Sequence, residues 1–181
     1  MRVIQLLQSY SAGRRDFRNV DFKEAWMPGV RLNQVDLCGA DLTGSNLSQS
    51  VLLQADCKGA MLWRANLAQA QLCQTSLVKA NLIRCSLQNS NLEGCCLQGA
   101  DLRLADLQGA RLVGANLRDA LLCYANLAEC DLEGADLSNA DLTGAILTGA
   151  NLKNCRMAKV RLKRTRLPQP EPENMGSGVL R

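Results

Sequence analysis

The chain has 181 residues, a length that suits one domain, and its 21 basic and 17 acidic residues give a net charge of +4. Aromatic residues make up only 3% of the chain, which is too little for the core of an ordinary globular domain. No histidine is present, so histidine-based acid–base or nucleophilic catalysis is excluded.

The first 13 residues depart from the pattern that follows and predict a short N-terminal capping helix (residues 1–13). Their larger apolar side chains are spaced as on one face of a helix: Val3, Leu6, Leu7 and Tyr10. We interpret this helix as a lid over one end of a repeat structure, where apolar side chains would otherwise be exposed. The alternative is a helix that binds a partner.

A five-residue repeat occupies most of the remaining chain. Centres spaced by five run from Phe17 to Leu167 without a gap, which gives 31 repeats, and 26 of the 31 centres are leucine. At position i−2, counted from each centre i, 17 residues are alanine. Position i−1 holds aspartate or asparagine in 17 repeats, and position i+2 holds glycine in 11. We assign residues 14–167 to one repeat domain.

A step of five residues fits neither regular element. On an α-helix it rotates by about 140°, and on a strand it sends alternate leucines to opposite faces. The backbone must therefore turn once in every repeat if each leucine is to point inward. Glycine and Asp/Asn favour such turns, so the pattern predicts a solenoid with leucine and alanine inside.

The A(D/N)LXX pattern, as in Ala100–Asp101–Leu102, resembles that of the pentapeptide repeat family. The resemblance implies an all-β solenoid: a right-handed quadrilateral β-helix with four repeats, or 20 residues, in each coil. With that coil length the 31 repeats form about 7–8 coils, and the rod is about 37 Å long at roughly 4.8 Å per layer.

Nine cysteines are distributed between the inside and the outside of the predicted rod. Cys57 is a centre, and four more occupy position i−2: Cys85, Cys95, Cys130 and Cys155. No two cysteines are 20 residues apart, so no pair is stacked in adjacent coils and we expect no disulfide. Without histidine or a CxxC motif, we expect no metal site and no cofactor.

One side of the predicted rod differs from the other three. Its centres are Leu62, Leu82, Leu102 and Leu122, and seven of its twelve outward residues are apolar, sulfur-bearing or aromatic. We call this side the Trp63–Tyr124 face, and the residues proposed to form a protein-interaction surface are Met61, Trp63, Arg64, Ile83, Arg84, Arg103, Leu104, Leu121 and Tyr124. Aromatic residues, methionine and arginine are enriched in interface cores. The alternative is sequence drift on a tolerant surface.

The C-terminal part is basic and then rich in proline. Residues 156–166 hold six basic residues and no acidic one, so the rest of the chain has 15 basic against 17 acidic residues. We interpret the basic run as protection of an exposed edge coil, with binding of an acidic partner or phosphate backbone as the alternative. Residues 168–181 are predicted to be a flexible tail.

These observations favour a rigid, non-enzymatic scaffold or regulatory binding protein whose partner is another protein. The resemblance agrees, because most family members have no known enzymatic activity and some act as regulatory binding proteins. The alternative is DNA mimicry, since some members inhibit type II topoisomerases through a strongly negative rod. This chain departs from that pattern, with its charge of +4 and no phenylalanine centre after Phe22.

No apolar run approaches the about 20 residues of a membrane span, and the N-terminus does not resemble a signal peptide. We therefore expect a cytoplasmic protein that does not bind membranes. Nucleic acid is an unlikely partner because only one end of the rod is basic and few aromatic residues are interleaved with the charges. The sequence leaves the oligomeric state open.

Overall fold

The computed structural model describes residues 2–169. Helix α1, Val3–Ser11, is the only helix within this range. The repeats that follow form isolated parallel β-bridges, and no longer strand is present in the described residues. The β-bridges are short because the chain turns again after each repeat.

Every β-bridge joins two residues that are 20 positions apart, from Asp16–Asp36 to Ile146–Arg166. Twenty residues are four repeats, so each coil has four sides. This confirms the quadrilateral coil, whose number of sides the five-residue period alone did not define.

Backbone hydrogen bonds hold neighbouring coils together. The amide of Leu102 donates to the carbonyl of Leu121 at 2.8 Å, and the amide of Leu121 donates to Ala100 at 3.0 Å. A third bond closes each turn, as when the amide of Ala105 donates to the carbonyl of Leu102 at 3.0 Å. The same three bonds recur along the rod, so each repeat satisfies its backbone through the coils above and below.

The aspartates and asparagines at position i−1 stabilise the turns from outside. In all 17 repeats that carry one, its Oδ1 accepts a hydrogen bond from the amide of residue i+1, at 2.9–3.3 Å. That amide takes no part in the bonds between coils. Pro28, at position i+1, therefore removes no bond of the ladder, and Gly29 beside it still donates to Ser48 at 2.7 Å.

Position i+2 always adopts the left-handed conformation, whatever residue it holds. From Asn19 to Arg164, every i+2 residue has a φ between 53° and 72°. Glycine accepts this angle without strain, whereas other residues do so at some cost. Nineteen of these positions are not glycine, which sequence reasoning from the glycine pattern alone did not anticipate.

The interior is a continuous column of leucine and small side chains. From Leu32 to Leu147 every centre is buried, and the alanines at position i−2 between Ala40 and Ala145 are at most 2% exposed. The small i−2 side chains let the four sides approach closely, so leucine branches fill the axis without an aromatic core. Phe17, Phe22 and Met27 are buried in the first coil.

Helix α1 covers the N-terminal end of this column. Leu6 is fully buried, while Val3 and Tyr10 are partly buried against the core. The Tyr10 hydroxyl donates to the carbonyl of Asn33 at 3.0 Å, and the guanidinium of Arg15 lies over the Tyr10 ring at 3.9 Å. These contacts support the capping role of the helix.

Burial is uneven on the predicted helix face: Leu7 is 37% exposed, whereas Leu6 is 1% exposed. The bounds predicted for the three regions of the chain stay predictions. The predicted tail, 168–181, lies outside the described residues except for Pro168 and Gln169.

All nine cysteines are free thiols. Cys57, Cys85, Cys95 and Cys130 are buried, and the others are partly exposed. The buried thiol of Cys95 donates to the carbonyl of Leu72 at 2.7 Å. Cys57 thus occupies a leucine position and the other inward cysteines occupy alanine positions, all as small apolar residues.

Two buried serines at position i−2 provide a test of the interior. Ser45 and Ser90 are each 1% exposed, but only Ser90 bonds, donating to the Leu87 carbonyl at 2.7 Å. The Ser45 hydroxyl has no partner. We predict that Ser45→Ala raises the free energy of unfolding by about 1 kcal/mol, because it removes an unsatisfied buried group.

The matched variant Ser90→Ala should lower the free energy of unfolding by about 1 kcal/mol, because it removes a made hydrogen bond. Urea denaturation followed by circular dichroism measures both changes. Equal losses in the two variants would contradict the assignment of the Ser45 hydroxyl.

Candidate functional site

The nine residues of the predicted interaction surface lie on one side of the rod, as expected from a 20-residue coil. The β-bridges Met61–Asn81, Asn81–Asp101 and Asp101–Leu121 align four successive coils along this face. The most exposed large apolar side chains on it are Leu104, at 48%, and Tyr124, at 58%. Ile83 is partly buried, and the remaining proposed residues are exposed. That this surface binds a partner stays a prediction.

Leu104 and Tyr124 occupy backbone positions that disfavour them. Both lie at position i+2, with φ of 59°. The same column also holds Gly44 and Gly144, which adopt this angle freely, and Arg64 and Arg84 lie between Gly44 and Leu104. Among the described residues, the other non-glycine residues with positive φ are all polar or charged. Two bulky apolar side chains thus project outward from strained positions, and strain of this kind is concentrated at functional sites.

Tyr124 is held in place by the glycine one coil further on. A Cβ atom on Gly144 would lie 2.6 Å from ring carbon Cδ1 of Tyr124, which is too close for a non-bonded contact between two carbon atoms. The ring therefore lies flat over the backbone of Gly144. The pair fixes the direction of the aromatic side chain on the surface.

A depression of about 490 Å³ lies beside this ring. It is lined by Ile83, Arg103, Leu104, Cys123 and Tyr124. Its floor is apolar, and its rim carries one guanidinium. A shape of this kind suits an apolar side chain of a partner.

The charged groups of the face are arranged unevenly. Arg103 binds both carboxylate oxygens of Asp101, with Nε at 2.8 Å and Nη2 at 2.7 Å. The guanidinium of Arg64 lies over the ring of Trp63, 5.1 Å from its centroid. Arg64 and Arg84 have no carboxylate within 4.0 Å in the described part of the chain.

Sequence reasoning missed a second exposed apolar region, near the N-terminal end. Trp26 is 73% exposed, and it lines a depression with Leu7 and Tyr10 of helix α1. The signal was present in the sequence, because tryptophan replaces the usual Asp or Asn at position i−1. This N-terminal region is smaller in extent along the rod and serves below as a control.

The remaining features of the described residues concern metal ions, acidic or nucleic-acid partners and membranes. No group of three or more side chains between residues 2 and 169 is arranged to hold a metal ion. The basic residues at 156–166 are exposed or partly exposed on the last coil, where Arg161 lies 3.5 Å from Asp141. None of the described helices is long and apolar enough to cross a membrane.

The family model for pentapeptide repeats matches five overlapping stretches: residues 16–54, 52–89, 65–103, 100–139 and 135–169. The chain belongs to the pentapeptide repeat family. As in that family, its fold is a right-handed quadrilateral β-helix.

Solved pentapeptide repeat structures resemble the chain over most of its length. HetL, involved in heterocyst differentiation regulation in the cyanobacterium Nostoc sp. strain PCC 7120, is 29% identical; the match covers 94% of this chain and 99% of HetL, with a TM-score of 0.36. The protein alr5209 from Nostoc PCC 7120 is 25% identical, with coverage of 94% and 88% and a TM-score of 0.36. QnrB1, a plasmid-mediated fluoroquinolone resistance protein, is 16% identical, with coverage of 83% and 71% and a TM-score of 0.33. A search of curated proteins found no match.

Because Tyr124 rests on Gly144, we predict that Gly144→Ala displaces the ring. Gly134, with φ of 68° and no atom near the position of a Cβ, is the matched control. Both variants should lose about 1 kcal/mol of stability from an alanine at positive φ. Only Gly144→Ala should shift the ring resonances of Tyr124 in a ¹H–¹³C NMR spectrum.

The chain has two tyrosines, so Tyr10 provides an internal reference in the same spectrum. Unchanged Tyr124 resonances in the Gly144→Ala variant would show that the ring does not lie over residue 144.

Proposed function

We propose that this pentapeptide repeat protein is a rigid, non-enzymatic scaffold that binds another protein through the Trp63–Tyr124 face. The observation that carries the proposal is the projection of Leu104 and Tyr124 from strained backbone positions into solvent. Their apolar side chains gain nothing from exposure, and the coil after Tyr124 carries Gly144 in the same column. Contact with a partner would give these residues the burial that offsets their strain.

The regular ladder of hydrogen bonds between coils also supports the proposal that the face binds a protein. Coils joined at every repeat hold the outward side chains at fixed spacings of about 4.8 Å. A surface that is already ordered loses little conformational entropy when it binds. The backbone of the face is part of the same ladder, as shown by the bond of 3.1 Å from the amide of Leu104 to Cys123.

The charges of the rod do not favour DNA mimicry. That function requires a continuous negative surface, whereas here basic groups alternate with the acidic ones. Arg111, for example, lies between Glu93 at 3.1 Å and Asp131 at 3.2 Å, and Arg118 lies 3.6 Å from Asp136.

The proposal predicts that peptide binding depends on the two aromatic side chains of the face. A library of random 12-residue peptides displayed on phage is selected against the immobilised full chain. Replacing both rings by Trp63→Ala/Tyr124→Ala should lower the capture of the enriched phage about tenfold or more, because aromatic anchors provide much of the binding energy. Both side chains point outward, so the melting temperature should change little.

The control is Trp26→Ala, which removes a tryptophan that is 73% exposed, against 39% for Trp63, from the N-terminal end. It should leave capture within about twofold of wild type. Enriched phage that bind the double variant as well as wild type would place the binding surface elsewhere and refute the proposal.

A further inference from the structure

Arg64 and Arg84 are neighbours in one column of the Trp63–Tyr124 face, one coil apart. The amide of Arg64 donates to the carbonyl of Ile83 at 3.1 Å, which brings the two corners together. Like charges that face each other on adjacent strands destabilise a sheet. On another side of the rod, Arg111 has carboxylates in the coils before and after it. The Arg64–Arg84 pair has no carboxylate partner in the coil before it or in the coil after it.

The carboxylate nearest to this pair on the face already binds another arginine. Asp101, one coil beyond Arg84, is held by two hydrogen bonds from Arg103. Across positions 61–64, 81–84 and 101–104 there are three arginines and one aspartate, so these outward segments carry a net charge of 3 − 1 = +2. Lys79, exposed at the adjoining corner, adds to the positive potential.

The apolar depression lies next to these charges. Ile83 of its lining is adjacent in sequence to Arg84, and Leu104 follows Arg84 in the same column, at a spacing of about 4.8 Å. Tyr124 closes the far side, fixed over Gly144. The face thus offers an apolar depression and, within about 10 Å of it, two guanidinium groups that have no carboxylate partner.

We propose that the Trp63–Tyr124 face binds an acidic segment of a partner protein. An apolar side chain of that segment occupies the depression between Ile83 and Tyr124, and one or two carboxylates bind Arg64 and Arg84. An extended chain advances about 3.3 Å per residue, so the acidic residues lie two or three positions from the apolar one. This inference rests on the proposed function and adds the chemistry of the partner.

A protein segment fits these features better than nucleic acid. The lining of the depression is mostly apolar, whereas a phosphate backbone needs a longer row of basic groups. An arginine pair beside an apolar depression matches a short peptide that carries both kinds of side chain.

The test uses the peptides enriched from the 12-residue phage library on the full wild-type chain. They are synthesised with a fluorescein label and titrated by fluorescence anisotropy. We expect an excess of glutamate and aspartate near an apolar residue, and an affinity that falls as salt is added. The double variant Arg64→Gln/Arg84→Gln should weaken binding about tenfold or more.

Arg118→Gln is the matched control, because it removes an exposed arginine on another side of the rod. It should change the affinity by less than about twofold. A fluorescein-labelled 12-nucleotide oligothymidylate is titrated in parallel and should bind more weakly than the selected peptides.

The outcomes separate this inference from the scaffold proposal. Peptides that need Trp63 and Tyr124 but show no acidic excess, or that bind Arg64→Gln/Arg84→Gln like wild type, refute the acidic partner and leave the scaffold standing. Tighter binding of the oligothymidylate, lost in the same double variant, would make the face a nucleic-acid site and overturn the inference. If no peptide depends on the face, both proposals fail.

Discussion

The hydrogen bonds between coils are the interaction on which the rest of the structure depends. Each repeat donates to the coil after it and the coil before it, and these bonds require the chain to return to the same side after 20 residues. That return requires four turns, and each turn places one residue at a φ of 53–72°. This geometry explains why leucine occupies the centre of each repeat and alanine occupies position i−2. Only a small residue at i−2 lets the four sides of the coil close around the leucines.

The same regularity turns the surface into columns of side chains about 4.8 Å apart. In other columns, side chains of neighbouring coils bind each other. Gln34, Gln54 and Gln74, for example, form a chain of amide hydrogen bonds at 3.0–3.1 Å. The Trp63–Tyr124 face departs from this pattern in two ways. Its corner column holds leucine and tyrosine where the backbone favours glycine, and it stacks Arg64 on Arg84 without a carboxylate. Both features weaken the free rod, and the partner proposed above would offset both.

Much of this could be predicted from the sequence, because a five-residue period allows few backbone paths. The inside–outside pattern follows from counting, and the four-sided coil implied by the family then places Trp63 and Tyr124 on one face. The exposure of Leu7 could not be predicted, since the five-residue period does not extend into helix α1 and the spacing along the helix does not show how the helix is rotated against the core. The contact of Tyr124 with Gly144 was also missed, because it depends on a side-chain direction that spacing does not define.

The central claim is that each repeat places alternate residues inside and outside the rod. The adjacent thiols of Cys95 and Cys96 provide the most direct test of this claim. Cys95 is 1% exposed, and burial raises the pKa of its thiol to about 12, whereas Cys96 is partly exposed. Native protein is treated with N-ethylmaleimide at pH 7.5, and the modified residue is located by tandem mass spectrometry. The structure predicts rapid labelling of Cys96 and protection of Cys95 until the rod is unfolded in urea. Labelling of both thiols at similar rates in the native protein would contradict it.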